Sequence, residues 1–452
     1  MRIAALAFVA LACACAGTPN TTPINARLVA APAEAPIELG VEGEAIALAL
    51  SGGGARAASF SLGALLQLRD MKGADGRPLI DRVALVTAVS GGAITAAYFG
   101  LHGADGLDGF RAALLDKDWQ SKLHTSFISP NNWARLMQGG LNGPDRLADW
   151  LDKEVFDGAK MRDLPNRPRI VINATDLYTG APFAFAAPWF QAICSDLGEV
   201  RVADAVAASM AVPLAFRPIV VESYAQGCAS PLPEWVARAA KDRAAPFLLR
   251  EAARAFQLYR DPSRMKFVHL ADGGVVDNFG VSSLVMLRRA SQTSYGPFSA
   301  RDAVQIKRLT FLVINAEMSA SGDWALKAEG PDGPQLAEAA LGVAVNAPKR
   351  AAADAFASML AEWERELIDF RCALPEAEAR QLGAAPGWDC RSVDFRMDVV
   401  SFADLPQTQY EELGAAPTQV SLPKELIDDL ISGGREAIGL NPLVKELAPT
   451  QR

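Results

Sequence analysis

Apolar runs separated by short polar turns predict an α/β architecture for most of the chain. The run 45–50 is apolar throughout, meets a glycine cluster and is followed by apolar residues at helical spacing. The run 83–88 repeats that order, with a turn at 89–92 and a helix at 93–100. Continuous apolar runs are typical of strands buried on both faces, and tandem strand–turn–helix units favour a parallel sheet. We therefore expect a three-layer α/β/α domain with a mostly parallel central sheet and an added helical region.

Further elements follow from the same rules. The pattern predicts more buried strands, a hairpin strand that returns after the first of them, and helices between and after them. The strands are expected at 169–175, 183–186, 267–270 and 309–314, and the helices at 202–210, 281–289 and 335–370.

The ends of the chain differ from this central part. Residues 1–16 carry one positive charge, a short apolar run and small residues at its end, which is typical of a secretory signal peptide and too short to span a membrane. Residues 17–43 are rich in proline, alanine and threonine, which predicts a flexible tether. The folded domain is expected at 44–445, with a helical insertion at about 101–165 over one end of the sheet and C-terminal helices at about 335–445.

Two cleavage patterns overlap at the end of the leader. Residues 10–13 resemble a bacterial lipoprotein site, which would leave a lipid anchor on Cys13, with Cys15 as the other cysteine of the leader. Residues 12–14 fit plain signal-peptidase cleavage after Ala-x-Ala instead. Both patterns predict export to the periplasm, the outer membrane or the medium.

The remaining cysteines are Cys194, Cys228, Cys372 and Cys390. They are even in number, form two local pairs and lack a Cys-x-x-Cys or a histidine cluster, so they indicate an oxidising compartment and no metal site. We expect disulfides between Cys194 and Cys228 and between Cys372 and Cys390. Four buried free thiols are the alternative.

Composition and charge limit the class of protein and its partners. Half of the residues are hydrophobic and 21% are charged, which is enough apolar material for a large core. The formal net charge is −8 and becomes −9 when Arg2 leaves with the leader. Because no polybasic run offsets this charge, we expect no nucleic-acid partner, and membrane contact would depend on a lipid anchor or on apolar surface.

The first predicted strand ends in a glycine loop, Ser51-Gly52-Gly53-Gly54-Ala55-Arg56. Successive glycines let the backbone approach a ligand and leave amide N–H groups free at the positive end of the following helix, so the loop can bind an anion. It matches neither the phosphate-loop nor the dinucleotide-binding spacing. A structural turn is the alternative.

The second strand end carries Ala88-Val89-Ser90-Gly91-Gly92. A serine between small residues, after a buried strand and before a helix, is the context of a nucleophile elbow, although Ala88 stands where the first glycine is usual. The three histidines, His102, His124 and His269, have no recognisable motif, and His269 falls inside an apolar strand where a packed core histidine is expected. A Ser-His-Asp triad stays open here.

The third strand end offers a carboxylate as base. Asp272 stands in Ala271-Asp272-Gly273-Gly274 after a predicted strand and before a helix, which would place it at the same sheet edge as Ser90. A partly desolvated carboxylate can accept the serine proton directly. A plain Asp-Gly turn is the alternative.

In this order, Gly-Gly-Gly-x-Arg, an elbow serine and Asp-Gly-Gly resemble the patatin-like phospholipase family. The segment 208–218, rich in small residues and proline, and the closing segment 417–435 are similar to that family as well. The resemblance implies a patatin-like fold, Ser90 as nucleophile and Asp272 as its dyad partner. It also implies an oxyanion hole at Gly52, Gly53 and Gly54 with Arg56 as supporting residue, and Gly91 and Gly92 as elbow glycines.

The implied activity is hydrolysis of lipid acyl esters, of phospholipase A or lysophospholipase type, without a metal or organic cofactor. Lipid or phospholipid esters are the expected substrates and a membrane surface the expected partner. The alternatives are an acyltransferase on the same dyad and a catalytically silent lipid-binding module. The insertion, which carries Trp119, Trp133 and Trp150, is expected to shape the substrate mouth.

Overall fold

The computed structural model describes residues 22–29, 39, 43–124, 130–318 and 323–448. These residues form a central eight-stranded sheet, two small two-stranded sheets and helices that cover the central sheet. The strands are β1 (Ala26–Arg27), β2 (Glu44–Leu50), β3 (Val83–Val89), β4 (Gly140–Asn142), β5 (Arg169–Asp176), β6 (Ala181–Phe185), β7 (Ser195–Asp196), β8 (Leu214–Phe216), β9 (Ile219–Glu222), β10 (Phe267–Asp272), β11 (Arg308–Asn315) and β12 (Asp394–Ser401). The α-helices are α1 (Gly54–Asp70), α2 (Gly91–Gly106), α3 (Pro130–Met137), α4 (Pro144–Leu151), α5 (Ala187–Ala192), α6 (Val202–Ser209), α7 (Glu234–Lys241), α8 (Phe247–Tyr259), α9 (Ser282–Ala290), α10 (Ala300–Gln305), α11 (Gly333–Ala373), α12 (Glu376–Gln381), α13 (Gln407–Gly414), α14 (Lys424–Leu440) and α15 (Pro442–Leu447).

The central sheet has a parallel part and an antiparallel part. Its order is β12-β11-β2-β3-β5-β10-β9, and β6 also pairs with β5. Strands β12, β11, β2, β3 and β5 are parallel to one another, whereas β6 and β10 pair antiparallel with β5, and β9 pairs antiparallel with β10. The mostly parallel α/β sheet predicted from the apolar runs is confirmed, and those runs are the strands buried on both faces.

Strands β3 and β10 share one edge of β5. β3 pairs with Arg169 to Asn173 of β5, and β10 pairs with the next residues, Ala174 to Asp176. Since β6 pairs with β5 across 172–176 on the other edge, β3 and β10 lie end to end. Their carboxyl ends therefore point at each other. This differs from the expectation of a parallel strand carrying Asp272, because β10 reaches the site from the opposite direction.

Helices α1 and α14 pack at short range over the parallel strands. A Cβ on Gly63 of α1 would overlap the carbonyl oxygen of Ile431, and a Cβ on Gly434 of α14 would overlap that of Phe60. Glycine at these facing positions lets the two helix backbones touch, which fixes α14 against the helix that begins at the glycine loop. The predicted closing segment thus supports the first strand–loop–helix unit.

The N-terminal region departs in part from a free tether. Ala26 and Arg27 pair with β7, and Asn25 is buried, with its side chain hydrogen-bonded to Ser195 Oγ and the Glu222 carbonyl oxygen, both at 2.9 Å. Backbone pairing and a buried amide hold this stretch on the domain, a contact that composition does not reveal. The predicted signal peptide and Cys13 lie outside the described residues, as does most of the predicted tether.

The four described cysteines form two disulfides, Cys194–Cys228 and Cys372–Cys390. The first joins the residue before β7 to the segment before α7, and the second links the end of α11 to the segment before β12. No helix among the described residues has the length and apolar character needed to cross a membrane.

Candidate active site

Ser90 occupies a sharp turn between β3 and α2. Its φ of 52° lies in the left-handed region, which residues other than glycine rarely adopt. A Cβ on Gly91 would overlap the carbonyl group of Gly54, and a Cβ on Gly92 would overlap the carbonyl oxygen of Leu50. The predicted elbow glycines are therefore required by direct backbone packing between the elbow and the glycine loop.

The end-to-end strands bring Asp272 to Ser90. Val89, the last residue of β3, pairs with Asn173, and Asp272, the last residue of β10, pairs with the adjacent Ala174. Ser90, which directly follows Val89, and Asp272 therefore lie next to each other along the same edge of β5. Both side chains are nearly buried, with 6% and 7% of their surface exposed.

The Asp272 carboxyl is held in a defined orientation. Its Oδ1 accepts from the Gly274 N–H at 2.8 Å, and its backbone oxygen accepts from the Thr175 hydroxyl at 2.9 Å. Burial raises the pKa of Asp272 to about 6, and the hydrogen bonds from the Gly274 amide and the Ser90 hydroxyl oppose that rise only in part. A hydrogen-bonded carboxylate with a pKa near 6 is suited to accept a proton at neutral pH.

The glycine loop offers two amides. The Gly52 N–H donates to the Asn278 carbonyl oxygen at 3.2 Å, which differs from the expectation that it is a free donor. Gly53 and Gly54 have φ values of 143° and 61°, and within the described ranges neither N–H has a protein acceptor. Helix α1 begins at Gly54, so these amides lie at its positive end.

Arg56 holds the glycine loop in place through its buried side chain. Its side chain is buried, with Nε donating to the Ala316 carbonyl oxygen at 2.8 Å and Nη1 to the Ala416 carbonyl oxygen at 2.5 Å. Burial lowers its pKa to about 10, against the opposite effect of Glu317. Because the guanidinium is used for these two carbonyls, Arg56 fixes the glycine loop to the end of β11 and to the segment before α14.

Two residues that sequence reasoning did not single out anchor the dyad. Ser209 Oγ accepts from the Ser90 N–H at 2.8 Å and donates to the Asn173 carbonyl oxygen at 2.6 Å. The Ala211 carbonyl oxygen accepts from the Asp272 N–H at 2.9 Å. The sequence feature that could have revealed them is the small-residue segment 208–218, in which Ser209 is the one hydroxyl-bearing residue.

Asn278 is a third residue missed by sequence reasoning. A Cβ on Gly52 would lie 3.2 Å from Ser90 Cβ and would overlap the side-chain oxygen of Asn278. The same oxygen would lie 2.7 Å from a Cβ on Gly274. The amide of Asn278 therefore lies between the glycine loop and the turn that follows Asp272. In the sequence, the polar pair Asp277-Asn278 directly after Asp-Gly-Gly-Val-Val could have pointed to it.

The histidines do not complete a triad. His269 is exposed, which corrects the expectation of a core histidine, and it lies three residues before Asp272, so the two side chains leave opposite faces of β10. His102 packs against Tyr98 with ring centroids 4.2 Å apart. Among the contacts of the described residues, none joins a histidine side chain to Ser90 or Asp272. No set of three metal-ligating side chains occurs in those residues either.

The chain matches one family model and is similar to solved structures at low identity. The patatin-like phospholipase family model matches residues 48–285, more than half of the chain. Human GIVD cytosolic phospholipase A2 aligns at 12% identity and a TM-score of 0.42, over 90% of this chain and 62% of that protein. VipD from Legionella pneumophila aligns at 12% identity and a TM-score of 0.33, over 90% of this chain and 67% of that protein. No curated protein sequence matches the chain. On the family match, which spans the glycine loop, Ser90 and Asp272, the chain belongs to the patatin-like phospholipase family.

Proposed function

We propose that the protein hydrolyses acyl esters of lipids, as a phospholipase A or lysophospholipase, through an acyl-enzyme on Ser90. The observation that carries the proposal is that the meeting ends of β3 and β10 place Ser90, in its left-handed turn, beside the buried Asp272 carboxyl, whose pKa burial raises to about 6. Family membership supports lipid esters as the substrate class.

The dyad performs both halves of the reaction. Ser90 Oγ attacks the ester carbonyl carbon while Asp272 takes the hydroxyl proton. The tetrahedral intermediate then breaks the bond to the alcohol, which leaves with the proton from Asp272. In the second half, Asp272 takes a proton from water, hydroxide attacks the acyl carbonyl, and Ser90 regains its proton as the fatty acid leaves.

The Gly53 and Gly54 amides are the proposed oxyanion donors. Both are without a protein acceptor in the described part of the chain, and both lie at the positive end of α1. Donors of this kind stabilise charge that develops only in the transition state, and loss of one costs about a hundred- to thousand-fold in rate. The Gly52 amide is assigned to positioning, because it already binds Asn278.

The test is release of fatty acid from phosphatidylcholine, lysophosphatidylcholine and a short p-nitrophenyl ester. Ser90→Ala and Asp272→Asn should each abolish release, whereas His269→Ala, at an exposed residue on the other face of β10, should retain wild-type rates. Retained activity in Ser90→Ala contradicts the mechanism. Loss of activity in His269→Ala would favour a histidine base.

We also propose that the protein is exported by means of a leader at residues 1–16. The leader is either removed by plain signal-peptidase cleavage or processed so that Cys13 carries a lipid anchor. The two disulfides support an oxidising compartment, where such bonds persist. Labelling of expressing cells with a palmitate analogue tests the anchor, with Cys13→Ala as control. Label that persists in Cys13→Ala excludes that cysteine as the lipidated one.

A further inference from the structure

Helix α3 presents its apolar side to solvent. Trp133 and Met137, one helical turn apart, are 57% and 84% exposed, whereas Asn132 is 5% exposed. Arg135, which points away from Trp133 and Met137 by helical spacing, is half-buried and donates to Asn132 Oδ1 at 2.7 Å. A surface helix of a soluble protein normally has the opposite arrangement, and an outward apolar face indicates contact with another apolar phase.

The exposed apolar surface continues towards Ser90. Leu214 on β8 pairs with Gly140, the first residue of β4, which follows α3 by a short turn. Leu214 and Val212 are 61% and 44% exposed. Leu214 is three residues from Ala211, whose carbonyl oxygen binds the Asp272 N–H, so its Cα lies within about 11 Å of that anchor. We name Trp133, Met137, Val212 and Leu214 the apolar rim.

Basic residues lie near this rim along the chain, and Asn142 of β4 links two of their segments. Its side chain accepts from the His124 N–H at 2.9 Å, and its carbonyl oxygen accepts from the Arg217 N–H at 3.0 Å. Arg146, in α4, donates to the Lys122 carbonyl oxygen at 2.6 Å. These contacts bring Lys122 and Arg146 of the insertion and Arg217, between β8 and β9, into one region.

The basic groups act on one another. Burial lowers the pKa of His124, and Arg135 and Arg146 lower it further. Burial also lowers the pKa of Arg217, with a smaller contribution from Arg135. We name Lys122, His124, Arg135, Arg146 and Arg217 the basic cluster.

The charge of the basic cluster is largely uncompensated. Within the described ranges no carboxylate forms an ion pair with its lysine or arginines, and Asp145 is the acidic group whose charge acts on Arg217. In a chain of net charge −8, such a concentration of positive charge is a local feature. It fits an anionic partner.

We propose that the apolar rim and the basic cluster form a docking surface for a bilayer that contains anionic phospholipids. The rim enters the boundary between head groups and acyl chains, and the cluster binds lipid phosphates. Together they orient the active site so that an ester group reaches Ser90. The inference rests on the proposed lipid hydrolase function. A second copy of the chain fits less well, because a two-fold contact would set one basic cluster near the other.

Vesicle co-sedimentation tests the surface. The full chain carrying Ser90→Ala, which leaves the lipids intact, is mixed with vesicles of phosphatidylcholine alone or with phosphatidylglycerol. We expect tighter binding to the anionic vesicles. Trp133→Ser with Met137→Ser should weaken it on the order of tenfold, and Arg146→Gln about fivefold. All proteins keep the same N terminus, so any anchor contributes equally.

Matched controls lie on the α7–α8 hairpin. Phe247→Ser replaces an aromatic residue that is 68% exposed, and Arg243→Gln replaces an exposed arginine between the two helices. Both should bind anionic vesicles as tightly as the parent protein. Thermal melts check folding, and Arg146→Gln tests the proposal independently if the double variant is unstable.

Three outcomes overturn the inference. Rim and cluster variants that bind like the controls exclude this surface, and binding that is equal on neutral and anionic vesicles excludes the role of the basic cluster. A change from dimer to monomer in Trp133→Ser with Met137→Ser, seen by sedimentation velocity, assigns the rim to self-association. With Ser90 restored, the ratio of vesicle to soluble-ester hydrolysis should fall about tenfold in the rim variant.

The two proposals fail in different ways. A protein that hydrolyses neither the soluble ester nor micellar lysophospholipid contradicts the proposed function, whatever its binding. A protein that hydrolyses both, with binding unaffected by the rim and cluster substitutions, contradicts the docking surface alone.

Discussion

The glycine loop and the elbow, residues 51–56 and 90–92, pack backbone against backbone, whereas the apolar rim on α3 and near β8 exposes its side chains. In the first region a methyl group at Gly54 or Gly91 would overlap a neighbouring backbone. In the second, Met137 is 84% exposed. The reacting groups are therefore fixed by main-chain packing that leaves no room for an added methyl group, while the proposed docking surface consists of exposed side chains that can be exchanged.

The largest effect should follow from adding a methyl group to the glycine loop. Gly54→Ala adds a Cβ that overlaps the Gln419 carbonyl oxygen at a residue with φ of 61°, so we expect the rate on a soluble ester to fall at least about a thousandfold and the melting temperature to drop. Gly76→Ala is the matched control, since Gly76 has φ of 78° and no atom within 4 Å of its added Cβ. It should cost about 1 kcal/mol and no activity. Equal losses in both variants would attribute the effect to backbone strain alone.

A smaller loss should follow from removing the anchor of the elbow. Ser209→Ala leaves the Ser90 N–H and the Asn173 carbonyl oxygen without their partner, which should cost about 1–3 kcal/mol of unfolding free energy and on the order of tenfold or more in kcat. Ser59→Ala is its control, because Ser59 is equally buried and its hydroxyl has no partner in the described structure. If Ser209→Ala behaves like Ser59→Ala in urea unfolding and in turnover, the anchoring role is wrong.

The raised pKa of Asp272 gives a pH dependence with a defined sign. The carboxylate must be ionised to act as base, so kcat/KM should fall tenfold per pH unit below about pH 6. Ionising a buried group costs stability, and a pKa of about 6 against 3.8 corresponds to about 3 kcal/mol. Asp272→Asn should therefore raise the unfolding free energy at pH 8, and the gain should shrink as pH falls from about 6 to below 3.8. A flat rate profile between pH 5 and 7 would contradict this base.

The smallest effect belongs to the exposed rim. Leu214 has φ of 74°, a backbone conformation that is costly for leucine. Because 61% of its surface is exposed, packing of the side chain offsets little of that cost. Leu214→Gly should relieve that strain and raise the unfolding free energy by about 1 kcal/mol. Leu326→Gly, at a residue that is 90% exposed with an ordinary backbone, should not be stabilising. A loss of stability in Leu214→Gly would show that this side chain packs on the domain rather than serving the surface.

Sequence patterns predicted the parallel part of the sheet closely. The apolar runs at 45–50 and 83–88 became β2 and β3, and the helix expected at 335–370 became Gly333–Ala373. These segments are buried on both faces or periodic over many turns, so local pattern determines them. β12 was not predicted, since its edge position leaves it half-buried and its pattern mixed.

The dyad residues of the candidate site were predicted from the sequence, whereas the strand direction that brings them together was not. Ser90 and Asp272 are brought together as expected, but by a strand that runs opposite to the one assumed. Strand direction depends on pairing between distant segments, which no local motif encodes. The same holds for the Gly52 amide, which binds Asn278 more than two hundred residues away, and for Ser209.

In the proposed mechanism, Asp272 activates Ser90 without a histidine. The most direct test is labelling with a fluorophosphonate probe, followed by mass spectrometry of the modified peptide and by rates at pH 7.5. We predict a single adduct on Ser90, labelling slowed at least about a hundredfold in Asp272→Asn, and unchanged rates in His102→Ala, His124→Ala and His269→Ala. An adduct on another residue, or labelling of Asp272→Asn at the wild-type rate, would contradict activation of Ser90 by Asp272.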